Sequence, residues 1–550
     1  MVENAYPWVK HYPPHVPLSL TYPETPLYEL LKQTAQKVNK TALIFFNKKL
    51  SYSELTEYIE NLAINLSLLG LEPGDRVGIM LPNSPQYVIV YFALMAAGMI
   101  AVPLNPLLSA RELTYIIEDA GVKAIFALNL FAEKLKNLDN VKIVYTAIAD
   151  FLAFPLNFLL KLKEKAPSVK IDNEKIFALM PLLKNTGSKN FRPKQRDLKK
   201  EPAVIIYTSG TTGKPKGVML SEYALIVNAY HVKVWGDLVP EDVMLTVLPI
   251  FHGFGMSVCM NAPLLTGSSV VLLPRFSVDE FLKSVAKHRP TLFAGVPTMF
   301  VAMLNHKDLT KYDLSSFRGC FVGAAAMPPE VKEQFEKMTG AQVLEGYGLT
   351  EAVTAKCCNP YRGINKTGSI GIPFPDTVME IVDAFTGEPL PPGEIGEIRL
   401  KSPDLMLGYY KQEAATREVI KDGWLYTGDI GRMDEDGYFY IVDRKKDLII
   451  TGGFNVYPRE VEDVLYSHPD VKEACVVGIP DNYYGEVVKA YVVLKEGAKT
   501  SPEELKAFCR ENLTHYKVPK IIEIKDDLPK SAIGKILRRA LKEMESEAKQ

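Results

Sequence analysis

The sequence predicts an α/β protein: a large N-terminal domain of doubly wound α/β subdomains plus a β-subdomain, then a small α/β C-terminal domain. Three observations predict it. Strand-length apolar runs alternate with helical patterns over 40–125 and again from Val243 to Met338. From Gly368 to Val442 the texture changes to short β-rich segments punctuated by Gly and Pro. After Asp443-Arg-Lys-Lys-Asp447 a separate α/β pattern begins. Alternation of strands and helices argues a mostly parallel sheet covered by helices. At 550 residues the chain exceeds the roughly 250–300 that a single core accommodates. The domains read as 1–442 and 448–550, joined at 443–447.

In chain order, Ala42–Phe46, Arg76–Met80, Ala101–Leu104 and Ala124–Ala127 read as strands. Leu55–Leu69, Tyr87–Ala97 and Ala110–Ala120 read as helices between them. The uncharged run Tyr87–Leu104 is marginal against the roughly 20 apolar residues of a membrane span. Gly98 interrupts it and Pro103 nearly closes it, so a buried helix running into a strand is expected. Ala203–Tyr207 and Gly217–Leu220 read as strands flanking a loop. Strands at Val243–Leu248, Ser269–Leu273, Leu292–Gly295 and Arg318–Val322 follow, with helices at Val278–His288 and Pro329–Met338. Val378–Val382, Gly396–Leu400 and Tyr438–Val442 make the β-subdomain. Glu460–Ser467, Val471–Ile479, Val487–Leu494, Pro502–Asn512 and Ile521–Ile524 make the last domain.

Composition excludes several classes. A net charge of −1 leaves no basic face, so nucleic acid is not implied as a partner. The six cysteines are scattered without C-x-x-C spacing, which argues against a zinc site or a disulfide framework and for a reducing cytoplasm. The N-terminal MVENAYPWVKHYPPHVP has no apolar signal core. Phe151–Leu162 is very apolar and is followed by Lys163-Glu-Lys165. It reads either as a packed insertion or as a peripheral membrane contact at the inner face, with lysines beside the apolar surface. Oligomeric state is left open, a homodimer included.

The most informative stretch is Tyr207–Leu220, YTSGTTGKPKGVML. Ser209-Gly-Thr-Thr-Gly213 and the following Lys214 suit a phosphate. Glycine lets backbone N–H groups approach an anion, hydroxyls donate, and lysine supplies charge. Pro215 stands where the triphosphatase loop needs Ser or Thr after its lysine. The segment therefore reads as a mobile loop between two strands rather than a helix cap.

Further stretches accompany this loop in order: Gly346-Tyr-Gly-Leu-Thr-Glu351, DGWLYTGDIG at Asp422–Gly431, DRKKDLIITGGFNVYPREV at Asp443–Val461 and LPKSAIGKILRR at Leu528–Arg539. Together they resemble the acyl-adenylate-forming superfamily, over nearly the whole chain. Within it the chain is most similar to bacterial long-chain fatty-acid–CoA ligases, with Tyr426 where those often carry His.

The resemblance implies two half-reactions on fatty acid, ATP and CoA. A carboxylate and ATP give acyl-AMP and pyrophosphate; the CoA thiol then displaces AMP. Thr208, Ser209, Gly210, Thr211, Thr212, Gly213 and Lys214 hold the β- and γ-phosphates. Glu351 carries Mg2+, and Thr350 bonds the α-phosphate. Tyr347, between Gly346 and Gly348, lies against adenine, with Gly323, Ala324 and Ala325 on its other face. Asp429 accepts the ribose hydroxyls, and Arg444 adds a donor. Lys535 stabilises charge at the attacking carboxylate and α-phosphate. Lys446 is the hinge about which a mobile C-terminal domain rotates, bringing Gly452 and Gly453 to line a pantetheine tunnel. Phe251, His252 and Met256 border the acyl pocket, His252 as its gate. Luciferases carry a lysine at the place of Ile450, so that role does not transfer. An aryl- or short-chain-carboxylate–CoA ligase is the alternative on the same scaffold, and an inactive binding relative is a third reading.

Overall fold

The computed structural model describes residues 6–138, 140–163, 169–184, 191–208, 215–452, 454–481, 483–530 and 536–547. It forms two compact units, Met1–Val378 with Lys401–Gly423, and Met379–Leu400 with Trp424–Gln550. The hinge expected at 443–447 lies within the second.

The first unit holds two large sheets. One has eight strands, in the order Gly408–Tyr409, Lys216–Ser221, Pro202–Thr208, Ile100–Pro103, Arg76–Met80, Val122–Leu128, Lys142–Thr146 and Ile176–Ala178. From Pro202–Thr208 to Ile176–Ala178 its neighbours are parallel. The nine-stranded sheet runs Ile372–Pro373, Ala355–Cys358, Gln342–Gly348, Gly319–Val322, Leu292–Gly295, Val243–Thr246, Ser269–Leu272, Thr41–Phe45 and Lys48–Ser51. Its centre is parallel. Ile372–Pro373, within the region expected to begin the β-subdomain, instead extends this sheet.

The helix Pro85–Ala96 explains the uncharged run. Ser84 caps it, accepting from the Tyr87 N–H, and every residue of the helix is buried. A strand, Ile100–Pro103, follows. Ala110–Ala120 is amphipathic, opened by a Ser109–Glu112 capping box and closed by Gly121 at φ +63°. No helix among the described residues is long and apolar enough to cross a membrane. The Phe151 region divides: Phe151 and Leu152 are buried, whereas Phe154 is 79% and Phe158 58% exposed. All six cysteines are buried and free.

The second unit carries an antiparallel group, with Trp424–Met433 between Gly396–Lys401 and Phe439–Arg444. It also carries a sheet in which Gly485–Leu494 pairs antiparallel with Val471–Asp481 and parallel with Ile521–Ile524. The helices Pro458–Tyr466 and Pro502–Asn512 pack their apolar sides onto that sheet through Val461, Leu465 and Leu505.

Candidate active site

The strands flanking the glycine-rich loop are antiparallel, with Tyr207 opposite Gly217 and Thr208 opposite Lys216. Both flanking strands fall where the sequence predicts them. Ser209, Gly210, Thr211, Thr212, Gly213 and Lys214 lie outside the described residues. The base of the loop is anchored to the helix Ala110–Ala120. Tyr207 donates its hydroxyl to Asp119 at 2.5 Å, and Tyr115 donates to the Pro215 carbonyl at 3.4 Å. Gly217 leaves the space in which the Tyr207 ring lies, since a Cβ there would stand 3.0 Å from it.

The outgoing strand also pairs with Gly408–Tyr409, placing Tyr409 opposite Val218. Lys216 Nζ lies 4.8 Å from the centre of the Tyr409 ring. The Tyr409 hydroxyl donates to Glu351 Oε1 at 2.8 Å, and the Met406 N–H donates to the Glu351 carbonyl at 2.8 Å. Burial, and then the neighbouring Glu351 charge, raises the Tyr409 pKa and keeps the phenol a donor. Sequence reasoning missed Tyr409 and Tyr115. A tyrosine in a Gly-Tyr-Tyr-Lys run carries no signal of where its hydroxyl will end.

Glu351 and Thr350 sit on a 3-10 turn, Thr350–Ala352, just beyond the strand Gln342–Gly348. Val353 then turns the chain at φ +63°, ψ −63°, and the Thr354 N–H donates to the Ala352 carbonyl at 2.7 Å. This is the positive-φ γ-turn, which for a β-branched residue costs on the order of 1–3 kcal/mol. It folds the chain so tightly that a Cβ on Gly348 would stand 1.6 Å from the Thr354 carbonyl oxygen.

Beside this turn lies a largely apolar cavity of about 640 Å³, counting its open mouth. Of the expected residues, His252, Gly323, Ala324, Gly346, Tyr347 and Gly348 line it. Gly323 and Gly346–Gly348 are at the carboxyl ends of adjacent parallel strands, the usual ligand position in such sheets. Phe254, Val258, Trp235 and Phe374 complete its apolar wall. The missing Cβ of Gly323 makes room for the Phe254 ring, 3.2 Å from where that atom would be. Ala325 is exposed, Phe251 is half-buried, and neither is on the lining. Met256 is fully buried in a π-helical segment, Gly255–Asn261, whose Val258 faces the cavity instead.

His252 stands on a turn in which its N–H donates to the Pro249 carbonyl at 3.1 Å. Its Nδ1 accepts from the Phe254 N–H at 3.3 Å, so that nitrogen is unprotonated. The side chain reaches solvent at the cavity mouth. Because the residue is exposed, the downward shift that desolvation gives its pKa is only a weak bias towards the neutral ring.

The remaining expected residues belong to the second unit. Asp429 and Arg444 are cross-strand partners, with Arg444 Nε 3.1 Å from Asp429 Oδ1. Asp429 is buried and Arg444 exposed. Lys446 is exposed on the 3-10 turn Lys445–Asp447. Gly452 has φ +56°, a conformation that favours glycine, and its N–H donates to the Tyr484 carbonyl at 2.8 Å. Gly453 and Lys535 lie outside the described residues. Lys530 and Ile536 pair as an isolated antiparallel bridge. Arg538 anchors the following helix to Asp447 at 2.9 Å and to Glu462 at 2.6 Å.

The profile of the AMP-binding enzyme family matches residues 30–410, and that of the AMP-binding enzyme C-terminal domain matches 460–535. The chain belongs to the AMP-binding enzyme family. Its similarity to a long-chain-fatty-acid–CoA ligase of Bacillus subtilis (strain 168) is 45% identity, covering 99% of both chains. A long-chain-fatty-acid–CoA ligase of Escherichia coli O6:H1 is 38% identical, covering 98% of both. Among solved structures, ATP-bound MatB from Rhodopseudomonas palustris superposes with a TM-score of 0.84 at 30% identity, covering 96% of this chain and all (100%) of that one. The anthranilate CoA ligase AuaEII in complex with anthranoyl-AMP gives 0.83 at 27% identity, covering 97% and 99%. Full-length similarity to these CoA ligases, together with the family match, makes the chain an acid–thiol ligase, with ATP and CoA as substrates.

Proposed function

We propose that the chain is an AMP-forming fatty-acid–CoA ligase whose alkyl substrate occupies the cavity beside Tyr347 and His252. The observation that carries this reading is the cavity's position. Its apolar wall meets the strand end Gly346–Gly348, which leads directly to Thr350 and Glu351. Each methylene buried there contributes about 0.8 kcal/mol.

In the first step a carboxylate oxygen of the acid bonds to the α-phosphorus of ATP. The bond from that phosphorus to the bridging oxygen breaks, and pyrophosphate leaves. In the second, the CoA thiolate bonds to the acyl carbon and AMP leaves. Ser209–Lys214 hold the pyrophosphate portion. Thr350 bonds the α-phosphate, and Lys535 stabilises the charge that gathers beside it. Tyr347 lies against adenine, and Asp429 with Arg444 takes the ribose. His252, neutral at its turn, borders the carboxylate.

Among the described residues no cluster of three or more His, Cys, Asp or Glu forms a metal cage. A lone carboxylate such as Glu351, completed by phosphate oxygens and water, fits Mg2+, which is reluctant to dehydrate. Glu351 would hold the ion, which would supply charge neutralisation for the phosphates.

Pyrophosphate exchange with acetate, octanoate, palmitate and coumarate tests the substrate class. Exchange with octanoate or palmitate is expected. Exchange with coumarate alone replaces the proposal with an aryl-CoA ligase, and exchange with no acid favours an inactive relative.

A second feature supports a peripheral membrane contact. Phe154, Phe158 and Leu159 are exposed at 79%, 58% and 47%, on a stretch whose sequence continues into Lys161 and Lys163. Sedimentation with anionic vesicles is expected to decrease when 151–162 is deleted. Failure of the intact protein to bind vesicles ends this reading.

A further inference from the structure

Three elements that wall the cavity are tied together by one ionic cluster directly behind them. The helix Glu222–Trp235 supplies Val232 and Trp235 to the lining, the π-helical segment supplies Val258, and the strand Ala355–Cys358 supplies Ala355 and Cys357. One turn or one residue away are Asn228, Ser257 and Lys356. Lys356 and Asp404 are both fully buried and in direct contact. Asp404 Oδ2 also accepts from Asn228 Nδ2 at 2.9 Å, and its other oxygen accepts from Ser402. The same Asn228 nitrogen lies 3.0 Å from the Ala355 carbonyl, and Asn228 Oδ1 accepts from Ser257 Oγ at 2.5 Å. A continuous path of polar contacts therefore runs from the strand to the π-helix.

Two features make the path more than internal packing. Burying two charges is costly, and a well-packed apolar pair of similar volume is often as stable or more so. An ion pair differs from an apolar pair in being directional, and here Asp404 also accepts from Asn228. The π-helix is also a rare element, found frequently at functional sites, and here its backbone and side chains bond to neighbouring elements. Ser257 Oγ donates to Asn228, and the Cys259 carbonyl accepts from Thr246 Oγ1 at 3.0 Å.

Building on the ligase reading above, we infer that Lys356 and Asp404 are positioning residues: acting through Asn228 and Ser257, they set the place of the π-helical wall and hence which acyl chains the cavity accepts.

The test compares the wild type with Ser257→Ala and with the double variant Lys356→Met/Asp404→Leu. Thermal unfolding is measured alongside kcat and KM for octanoate, palmitate, coumarate and ATP. Ser257→Ala keeps the ion pair and removes only the last link, so it decides the question if the double variant does not fold. The expected result is a folded protein whose ratio of kcat/KM between octanoate and palmitate shifts by about 10-fold. That shift is expected in KM for the acid, with KM for ATP unchanged. Ser257→Thr, which keeps the hydroxyl, is expected to hold the ratio closer to wild type than Ser257→Ala. An unchanged ratio in folded Ser257→Ala overturns the inference. Wild type that uses only coumarate sinks the fatty-acid reading instead, and the ratio of coumarate to shorter aromatic acids then decides the positioning role.

Discussion

Tyr409 donates its phenolic proton to Glu351 at 2.8 Å while Lys216 lies 4.8 Å from the same ring. One side chain thus joins the strand that follows the glycine-rich segment to the carboxylate proposed to hold magnesium. The link is built by backbone as well, because Gly408–Tyr409 is a strand paired to Lys216–Ser221.

Tyr409→Phe keeps the ring under Lys216 and removes the hydrogen bond. Hydrogen bonds to charged groups contribute about 1.5–3 kcal/mol. The variant is expected to need several-fold more Mg2+ for half-maximal pyrophosphate exchange, with KM for the acid unchanged. Mn2+ affinity in the presence of a non-hydrolysable ATP analogue, read by electron paramagnetic resonance, is expected to fall in parallel. An unchanged metal dependence by both measures disconnects Tyr409 from Glu351.

Gly348→Ala places a methyl group against the Thr354 carbonyl, where only 1.6 Å is available. Backbone must move, at a cost of about 3 kcal/mol, and Thr350 and Glu351 move with it. Loss of both stability and adenylation is expected. A variant with wild-type melting temperature and exchange rate contradicts the tight turn at Val353.

His231 makes the first unit acid-sensitive. Burial lowers its pKa from 6.5 to about 4. Tyr22 donates to Asp376, so its hydroxyl oxygen accepts from His231 Nε2, 2.7 Å away. Asp404 Oδ2 lies 3.8 Å from His231 Nδ1. Asp404, although burial opposes its charge, is held below its usual range by Lys356, so this carboxylate stays paired. The lowered histidine pKa means that the unfolded state takes up the proton first. Its contribution, about 3 kcal/mol, is complete above pH 6.5 and is lost as pH falls from 6.5 towards 4. His231→Gln, which retains a donor for Tyr22, is expected to flatten the dependence of unfolding free energy on pH in that window. An unchanged slope removes His231 as the cause.

The roles proposed for Lys535 and Lys446 are tested by measuring the two half-reactions separately. Lys535→Ala is expected to lose adenylation by about 100- to 1,000-fold while retaining thioester formation from supplied acyl-AMP. Lys446→Pro is expected to impair the passage between the two steps. Equal losses in both steps for Lys535→Ala, or unaltered rates for Lys446→Pro, refute the two-conformation reading.

Much of the fold was legible because burial leaves a period in the sequence. Arg76–Met80 and Ala110–Ala120 end where their patterns end. The helix Glu222–Trp235 was not seen, since ten of its fourteen residues are buried and no polar stripe marks its surface. The π-helix Gly255–Asn261 is likewise buried throughout. Lys48–Ser51 hides its strand character behind two lysines and is held by pairing with Thr41–Phe45. In the site, glycine and hydroxyl motifs announce themselves because backbone conformation requires them. Tyr409, Asn228 and Asp404 do not, because their roles depend on partners far away in the chain.

The most direct measurement is product analysis with palmitate, ATP, Mg2+ and CoA, preceded by the same reaction without CoA. Palmitate-dependent pyrophosphate exchange is expected without CoA, then AMP and palmitoyl-CoA in equal amounts when CoA is added. Formation of ADP and phosphate, or thioester formation with no exchange in the absence of CoA, contradicts an acyl-adenylate intermediate.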